Sequence, residues 1–400
     1  MTDNMKIAAV ICELNPLHFG HRRLLSLAGR EGGVVCILSG NFVQRGEPAI
    51  LDKWARAELA LKSGADLVVE LPLPWACAGA ERFASGAVHL ACALGCVDEL
   101  WFGSETADIP LLTETARFLL SPDFAAALRK AGNGGGQPFA KIREDAVAAA
   151  LGSRAGGLLQ SPNAILAVEY LKALLREHSG IVPVAVKREG ADHDETLGAD
   201  SKQDVFRSAG EIRAWIRGGS GWEPHLPEAS AAVLRRECKA GRCPADFSRL
   251  ETAVLCKLRA MQPDEFRRLP DLSEGLENRL ALAVRESTSL SGLYEAVKSK
   301  RYSHARVRRL VLGAFLGLSA DLPGLSPYLR ILGMNRKGEQ ILRSCSPSLP
   351  LAVRPADFER LGGEALRLFR LEARADDLYA LSVPIPYACG ADYTRKFLKL

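Results

Sequence analysis

Between residue 6 and about residue 215 the chain alternates short β-branched or apolar runs with longer stretches of helical periodicity, and no other feature restricts the fold as much. The apolar runs fall at 7–12, 34–38, 67–71, 99–102 and 182–186. Helical patterning occupies 54–62, 85–94 and 163–175, the last opened by Ser161-Pro162-Asn163. Strands that alternate with helices make βαβ units, which close into a parallel sheet covered by helices. The expectation is an α/β, Rossmann-like fold, whose ligands sit beyond the carboxyl ends of the strands. The run Gly218-Gly219-Ser220-Gly221-Trp222-Glu223-Pro224 is the best boundary, dividing an α/β unit at 1–220 from a mainly α-helical unit at 221–400.

A chain of 400 residues, 48% apolar and 25% charged, can bury two cores, which excludes a fibre or a disordered tail. The longest apolar runs, such as 67–73 and 311–318, fall well short of the roughly 20 residues a membrane helix needs. The first residues lack a cleavable signal pattern, so a cytoplasmic protein with no membrane partner is expected. Ten cysteines are scattered without a C-x-x-C, and neither Cys92/Cys96 nor Cys238/Cys243 has a suitable partner set for zinc. They read as small core residues, and no metal site is expected. Asn133-Gly134-Gly135-Gly136 lacks the Gly-Lys-Ser/Thr ending of a phosphate-binding loop.

The net charge of +5 is uneven, because residues 301–350 hold eight Lys and Arg against two Asp and Glu. Lys298, Lys300, Arg301, Arg306, Arg308 and Arg309 crowd together around Tyr302, with Arg330, Arg336 and Lys337 downstream. On a helix Tyr302, Arg306 and Arg309 share a face, a pattern suited to tracking RNA phosphates beside one stacking ring. A solvated helix face is the alternative reading.

The most chemical stretch follows the first strand. In Asn15-Pro16-Leu17-His18-Phe19-Gly20-His21, the proline ends the strand and the two histidines lie on neighbouring positions of an opening helix. Gly20 leaves space for a ligand to approach the backbone. Imidazoles beside free backbone N–H groups suit a triphosphate, to which they donate as charge moves toward leaving pyrophosphate. Two other readings remain: a His-x-x-His metal pair, although no glutamate base lies between them, and two buried structural histidines.

This H-x-G-H resembles the HIGH motif of the nucleotidyltransferase superfamily. Further stretches extend the likeness to the bacterial tRNA(Met) cytidine acetate ligase family. They are Ser39-Gly40-Asn41-Phe42-Val43-Gln44-Arg45-Gly46-Glu47-Pro48-Ala49, Gly64-Ala65-Asp66, Phe102-Gly103-Ser104-Glu105, Ser161-Pro162-Asn163 and, later, Glu274-Gly275-Leu276-Glu277-Asn278-Arg279 and Arg330-Ile331-Leu332-Gly333. The resemblance implies a two-step ligase. Acetate and ATP form acetyl-adenylate, and the acetyl group passes to N4 of the wobble cytidine of elongator tRNA(Met). ATP is then a substrate, Mg²⁺ its expected companion, and acetate and the tRNA the partners.

The resemblance assigns His18 and His21 to the phosphates as catalytic groups. The wider ATP-binding stretch comprises Ile11, Cys12, Glu13, Leu14, Asn15, Pro16, Leu17, His18, Phe19, Gly20, His21, Arg22, Arg23 and Leu24. Gly103, Asn163, Arg188 and Glu189 join it, with Gly103 letting adenine or ribose reach the backbone. Lys53 and Arg45 are further candidates for phosphate or acetate, and Ser208 to Arg213 stands where the superfamily has a second phosphate motif. The family usually writes aromatic residues around the first motif where this chain has Leu14 and Leu17, a change that bears on pocket shape. Asp192-His193-Asp194 receives no role. Competing functions are a nucleotidyltransferase acting on a small phosphate ester and an inactive RNA-binding relative.

Overall fold

The computed structural model describes residues 5–132, 138–188, 207–272, 275–299 and 302–400. Five parallel strands follow the expected order of the first half: β1 (Lys6–Cys12), β2 (Gly32–Ser39), β3 (Leu67–Leu71), β4 (Glu99–Ser104) and β5 (Val182–Lys187). Three more come from the C-terminal third: β6 (Leu329–Met334), β7 (Leu351–Ala352) and β8 (Leu398–Lys399). The sheet runs β8-β6-β3-β2-β1-β4-β5, with β7 also paired to β6. Only the β3–β6 pairing is antiparallel. The central strands are almost continuously apolar because helices cover both faces. Ile7, Ala9, Val35 and Ile37 join one core, while Ala8, Val10, Val34 and Cys36 join the other, the two-residue period of a sheet buried on both sides.

The expected boundary at 220 needs correction. Glycines and a 3₁₀ turn do follow the helix ending at Gly218, but the chain returns to the same sheet at 329–399. Helices dominate only 221–328. Near the start of β6, Arg330 is buried and paired with acids from other segments. A charged residue within so short a strand weakens its hydrophobic pattern.

Helix starts follow local chemistry. Asp52 caps α2 (Lys53–Lys62) through the Ala55 N–H. Helix α3 (Ala80–Leu94) packs tightly on Trp75, since a Cβ on Gly86 would lie 2.3 Å from that indole. Helices α4 (Pro162–Arg176) and α6 (His304–Leu316) supply further layers, and α7 (Gly363–Tyr379) carries acidic side chains inward. The reading of the cysteines as core residues fits Cys12, Cys36, Cys77 and Cys243, which are buried and free. Cys96 and Cys345 depart from it, forming a disulfide across 249 residues. No described helix is long and apolar enough to cross a membrane.

Candidate active site

β1 ends at Cys12 and the chain turns sharply, with Leu14 at a left-handed φ of 49°. The Leu14 and Leu17 side chains are sealed in the core beneath the loop, so these two positions shape the turn from below. Asn15 is held from both sides: its Oδ1 accepts the Ile50 N–H at 2.9 Å, and its carbonyl accepts from Arg213 Nη1 at 2.8 Å. Arg56, fully buried, donates to the carbonyls of Glu13, Ser39, Gly40 and Leu51 and so clamps the loops after β1 and β2 together. Glu13 accepts the Gln44 N–H at 2.9 Å; burial pushes its carboxyl up, opposed by that bond and by Arg56 and Arg213.

His18 caps helix α1 (Phe19–Ala28). Its Nδ1 accepts the Gly20 N–H at 3.1 Å, and His21 Nδ1 accepts the His18 N–H at 3.4 Å. The two rings stack with centroids 3.9 Å apart. Since each Nδ1 serves as an acceptor, each neutral ring carries its proton on Nε2. Gly20 gives the His18 ring its space: a Cβ there would stand 3.0 Å from His18 Cε1.

Burial pushes His18 down to about 4, assisted by the charges of Arg188 and Arg213. His21 lies well below its ordinary value because of burial first, then His18 and Arg188, against the opposing Pro16 carbonyl. Both rings are therefore neutral donors at pH 7, set among guanidinium groups that call for negative charge.

Arg188 extends the β4–β5 ladder, its N–H on the Ser104 carbonyl at 2.9 Å. Its side chain crosses Gly103, where a Cβ would meet Arg188 Cγ at 3.4 Å. Gly103 thus lies in ordinary van der Waals contact range of the arginine stem. Asn163, in the first turn of α4, donates from Nδ2 to Glu105 at 2.7 Å, and the other Glu105 oxygen takes the Ala164 N–H at 2.8 Å. Glu105 is the residue the sequence reading quoted without a role.

The helix Ala209–Gly218, here α5 in chain order, opens with a capping box. Ser208 Oγ accepts the Glu211 N–H and Glu211 returns a bond to the Ser208 N–H. The expected phosphate motif therefore begins with a self-satisfied cap, and its Arg213 is buried against the Asn15 carbonyl. Of the remaining first-stretch residues, Arg22 lies over the Phe19 ring at 4.9 Å, and Leu24 packs on the core.

Other expectations are corrected. Lys53 is fully buried among Glu70, Asp376 and Asp392 at 2.8–2.9 Å and cannot reach phosphate or acetate. Arg330 pairs with Glu70 and Asp392 in the same cluster, so it is not an RNA contact. Tyr302 is buried ahead of α6 rather than stacked on its surface, with the Arg306 guanidinium 5.5 Å from its ring. Arg309 donates to the Gln44 carbonyl at 3.3 Å. Arg279 binds the carbonyls of Ala296 and Lys298. The basic window is thus dispersed rather than one stripe. Arg45 is exposed. Glu189, His193, Lys300 and Arg301 lie outside the described residues. Among the described residues no group of three or more His, Cys, Asp or Glu could hold a metal.

A strand-end loop with two stacked imidazoles opening a helix, inside a parallel sheet, defines a nucleotidyltransferase of the HIGH class. A family model described as HIGH Nucleotidyl Transferase matches residues 5–391. Curated relatives called tRNA(Met) cytidine acetate ligase come from Acetivibrio thermocellus, 36% identical over 98% of this chain and 100% of that one, and Caldanaerobacter subterraneus subsp. tengcongensis, 36% identical over 99% and 100%. A crystal structure of Thermotoga maritima TmcAL bound with alpha-thio ATP superposes with a TM-score of 0.90 at 31% identity, covering 99% of this chain and 100% of that one. The chain belongs to the tRNA(Met) cytidine acetate ligase family of the HIGH nucleotidyl transferases.

Proposed function

We propose that this enzyme activates acetate with ATP and acetylates N4 of the wobble cytidine of elongator tRNA(Met), giving N4-acetylcytidine. The observation that carries the chemistry is the neutral His18–His21 pair beside Arg188 and Arg213 at the carboxyl edge of the sheet. An acetate oxygen attacks the α-phosphorus, the bond to pyrophosphate breaks, and acetyl-adenylate remains. The cytidine amine then attacks the acetyl carbonyl, the bond to AMP breaks, and the amine gives up one proton.

His18 has an Nε2–H with no acceptor among the described residues, so it donates to phosphate oxygens as charge gathers on the leaving group. His21, Arg188 and Arg213 surround the same position, and residues 11–24 form the floor and wall of the ATP site. Gly103 and Asn163 act through Arg188 and Glu105, and Glu189 adjoins Arg188 in the chain. Mg²⁺ is assigned to the triphosphate oxygens and water, its usual ligands beside nucleotides. Lys298, Arg306 and Arg309 remain as RNA contacts, with Lys300 and Arg301 beside them in sequence. The activity belongs in the cytoplasm, where ATP, acetate and tRNA meet.

The test is isotope exchange between pyrophosphate and ATP without RNA. Exchange should require acetate, and mass spectrometry of treated tRNA(Met) should show acetylated wobble cytidine. Exchange that ignores acetate would remove the adenylation step, and tRNA left unmodified would remove the acceptor.

A further inference from the structure

Beyond β3, at the same carboxyl edge of the sheet as the catalytic loop, a small cleft separates the start of α3 from α6. Three guanidinium groups line it, Arg82 from α3 and Arg306 and Arg309 from successive turns of α6, against one acid, Asp271. Pro74, Cys77 and Leu310 form its apolar floor. Arg306 Nη2 donates to the Asp271 carbonyl at 2.8 Å and Arg309 Nη1 to the Gln44 carbonyl at 3.3 Å. These bonds fix two of the forks while leaving most of their five N–H donors free. Arg82 has no hydrogen bond or ion pair among the described residues and is half-buried at the cleft wall.

We propose that this cleft grips one backbone phosphate of the RNA substrate, an anion held by arginines from both halves of the chain. The inference rests on the proposed function and deepens it. Position argues for RNA rather than ATP. The imidazole pair follows β1, whereas the cleft follows β3, two strands away in the sheet. At the usual ~4.8 Å between strands this is on the order of 10 Å, which sets the cleft beside the imidazole pair rather than on it and within range of a nucleotide neighbouring the reacting base. The two places are mechanically joined: Gln44 gives its carbonyl to Arg309 and its N–H to Glu13, which precedes the catalytic turn. A phosphate drawn onto Arg309 is thereby held in register with that turn. Planar guanidinium forks suit phosphate oxygens better than a point charge does.

The test uses the full-length enzyme with purified tRNA(Met) and three variants, Arg82→Ala, Arg82→Glu and Asp271→Asn. Arg82→Ala should weaken tRNA binding about fivefold, Arg82→Glu more than about tenfold, and Asp271→Asn should tighten it. The Arg82→Ala salt dependence should be shallower by about 0.7–0.9 in log–log slope, the value of one lost phosphate contact. Acetate-dependent pyrophosphate exchange, KM for ATP and melting temperature should stay at wild-type values in all three. Unchanged tRNA affinity and slope in Arg82→Glu, while wild type acetylates tRNA, would overturn the cleft assignment and leave the proposed function standing. A raised KM for ATP with unchanged tRNA binding would make the cleft part of the nucleotide site, which also overturns it. Wild-type enzyme that acetylates no tRNA would instead defeat the functional reading itself.

Discussion

The paired histidines of the catalytic loop and the Lys53–Arg330 cluster are both polar groups withdrawn from water, yet burial is tolerated in opposite ways. In the cluster, Lys53 and Arg330 meet four carboxylates, those of Glu70, Glu372, Asp376 and Asp392. Asp392 is held well below the usual carboxylate range by Arg330 and Lys53, against the cost of burial. Burial and Glu70 push Glu372 up to about 8, and burial and Asp392 push Asp376 well above its ordinary value. With Glu372 and Asp376 pushed toward their protonated forms, the four acids and two bases move toward neutrality, the less costly state for such a site. In the catalytic loop neutrality is reached by leaving the imidazoles uncharged, with two arginines nearby and the His18 Nε2–H unspent. A closed set of charges holds structure together; an open set of donors waits for a ligand. The larger and more charged cluster is the structural one.

That contrast can be broken by removing one member of each. Arg330→Ala should have the largest effect, leaving buried carboxylates uncompensated and lowering stability by about 3–5 kcal/mol in urea unfolding. An unchanged midpoint would show that the cluster does not fasten β6 and α7 to the sheet. His18→Asn keeps a side chain able to cap α1 but loses the ring donor. Acetate-dependent exchange should fall about 10²-fold or more, roughly 2.7 kcal/mol, with little change in melting temperature. A large loss of stability with activity retained would transfer this pair to the structural side.

Gly20→Ala sharpens the point at lower amplitude. Its methyl group would stand 3.0 Å from His18 Cε1 and displace the ring. A roughly tenfold loss in kcat/KM for ATP is expected, since positioning errors well under an ångström weaken donors aimed at a transition state. Wild-type kinetics in this variant would mean that the stacked geometry is not the working one.

The smallest effects lie in pH dependence, and their signs differ. His18 binds its proton less readily when folded, about 4 against the ordinary 6.5. Over that interval the unfolded chain holds more protons, so the contribution of His18 falls as pH falls from 6.5 toward 4. Glu372 is the reverse, binding its proton more tightly when folded, about 8 against 4.5, so its contribution falls as pH rises through that range. Stability against pH for His18→Asn should lose part of the acid-side slope, and for Glu372→Gln part of the slope from 4.5 to 8. Identical profiles for both variants would erase the distinction between the two sites.

Much of this was legible in the chain. β1, β2 and β3 announce themselves because parallel central strands must be apolar on both faces, while β4 and the edge strand β5 show as short runs of β-branched and apolar residues. The turn after β1 is equally plain, since proline, histidine and glycine at those spacings serve few local structures. The place of Arg188 just past a strand was readable, its N–H extending the ladder to Ser104. Lys53, Arg330 and Tyr302 were misread because a charge or a ring in sequence does not declare its partner. The Lys53–Asp392 contact spans 339 residues. Arg82 gave no signal at all, being one arginine in a helix whose importance arises only from what α6 brings opposite it.

The sequence by itself determined the local elements: strands from apolar runs, helix starts from caps, and a sharp strand-to-helix turn from a seven-residue motif. These are decided by backbone preferences and hydrophobic periodicity, which act over a few residues. Only the tertiary structure decided that β6 and β8 complete the first sheet, that Gly20 yields its space to His18, and that Lys53 and Arg330 are neutralised rather than offered to a ligand. Those outcomes depend on desolvation, and how far a charge is desolvated is set by which distant segments close over it.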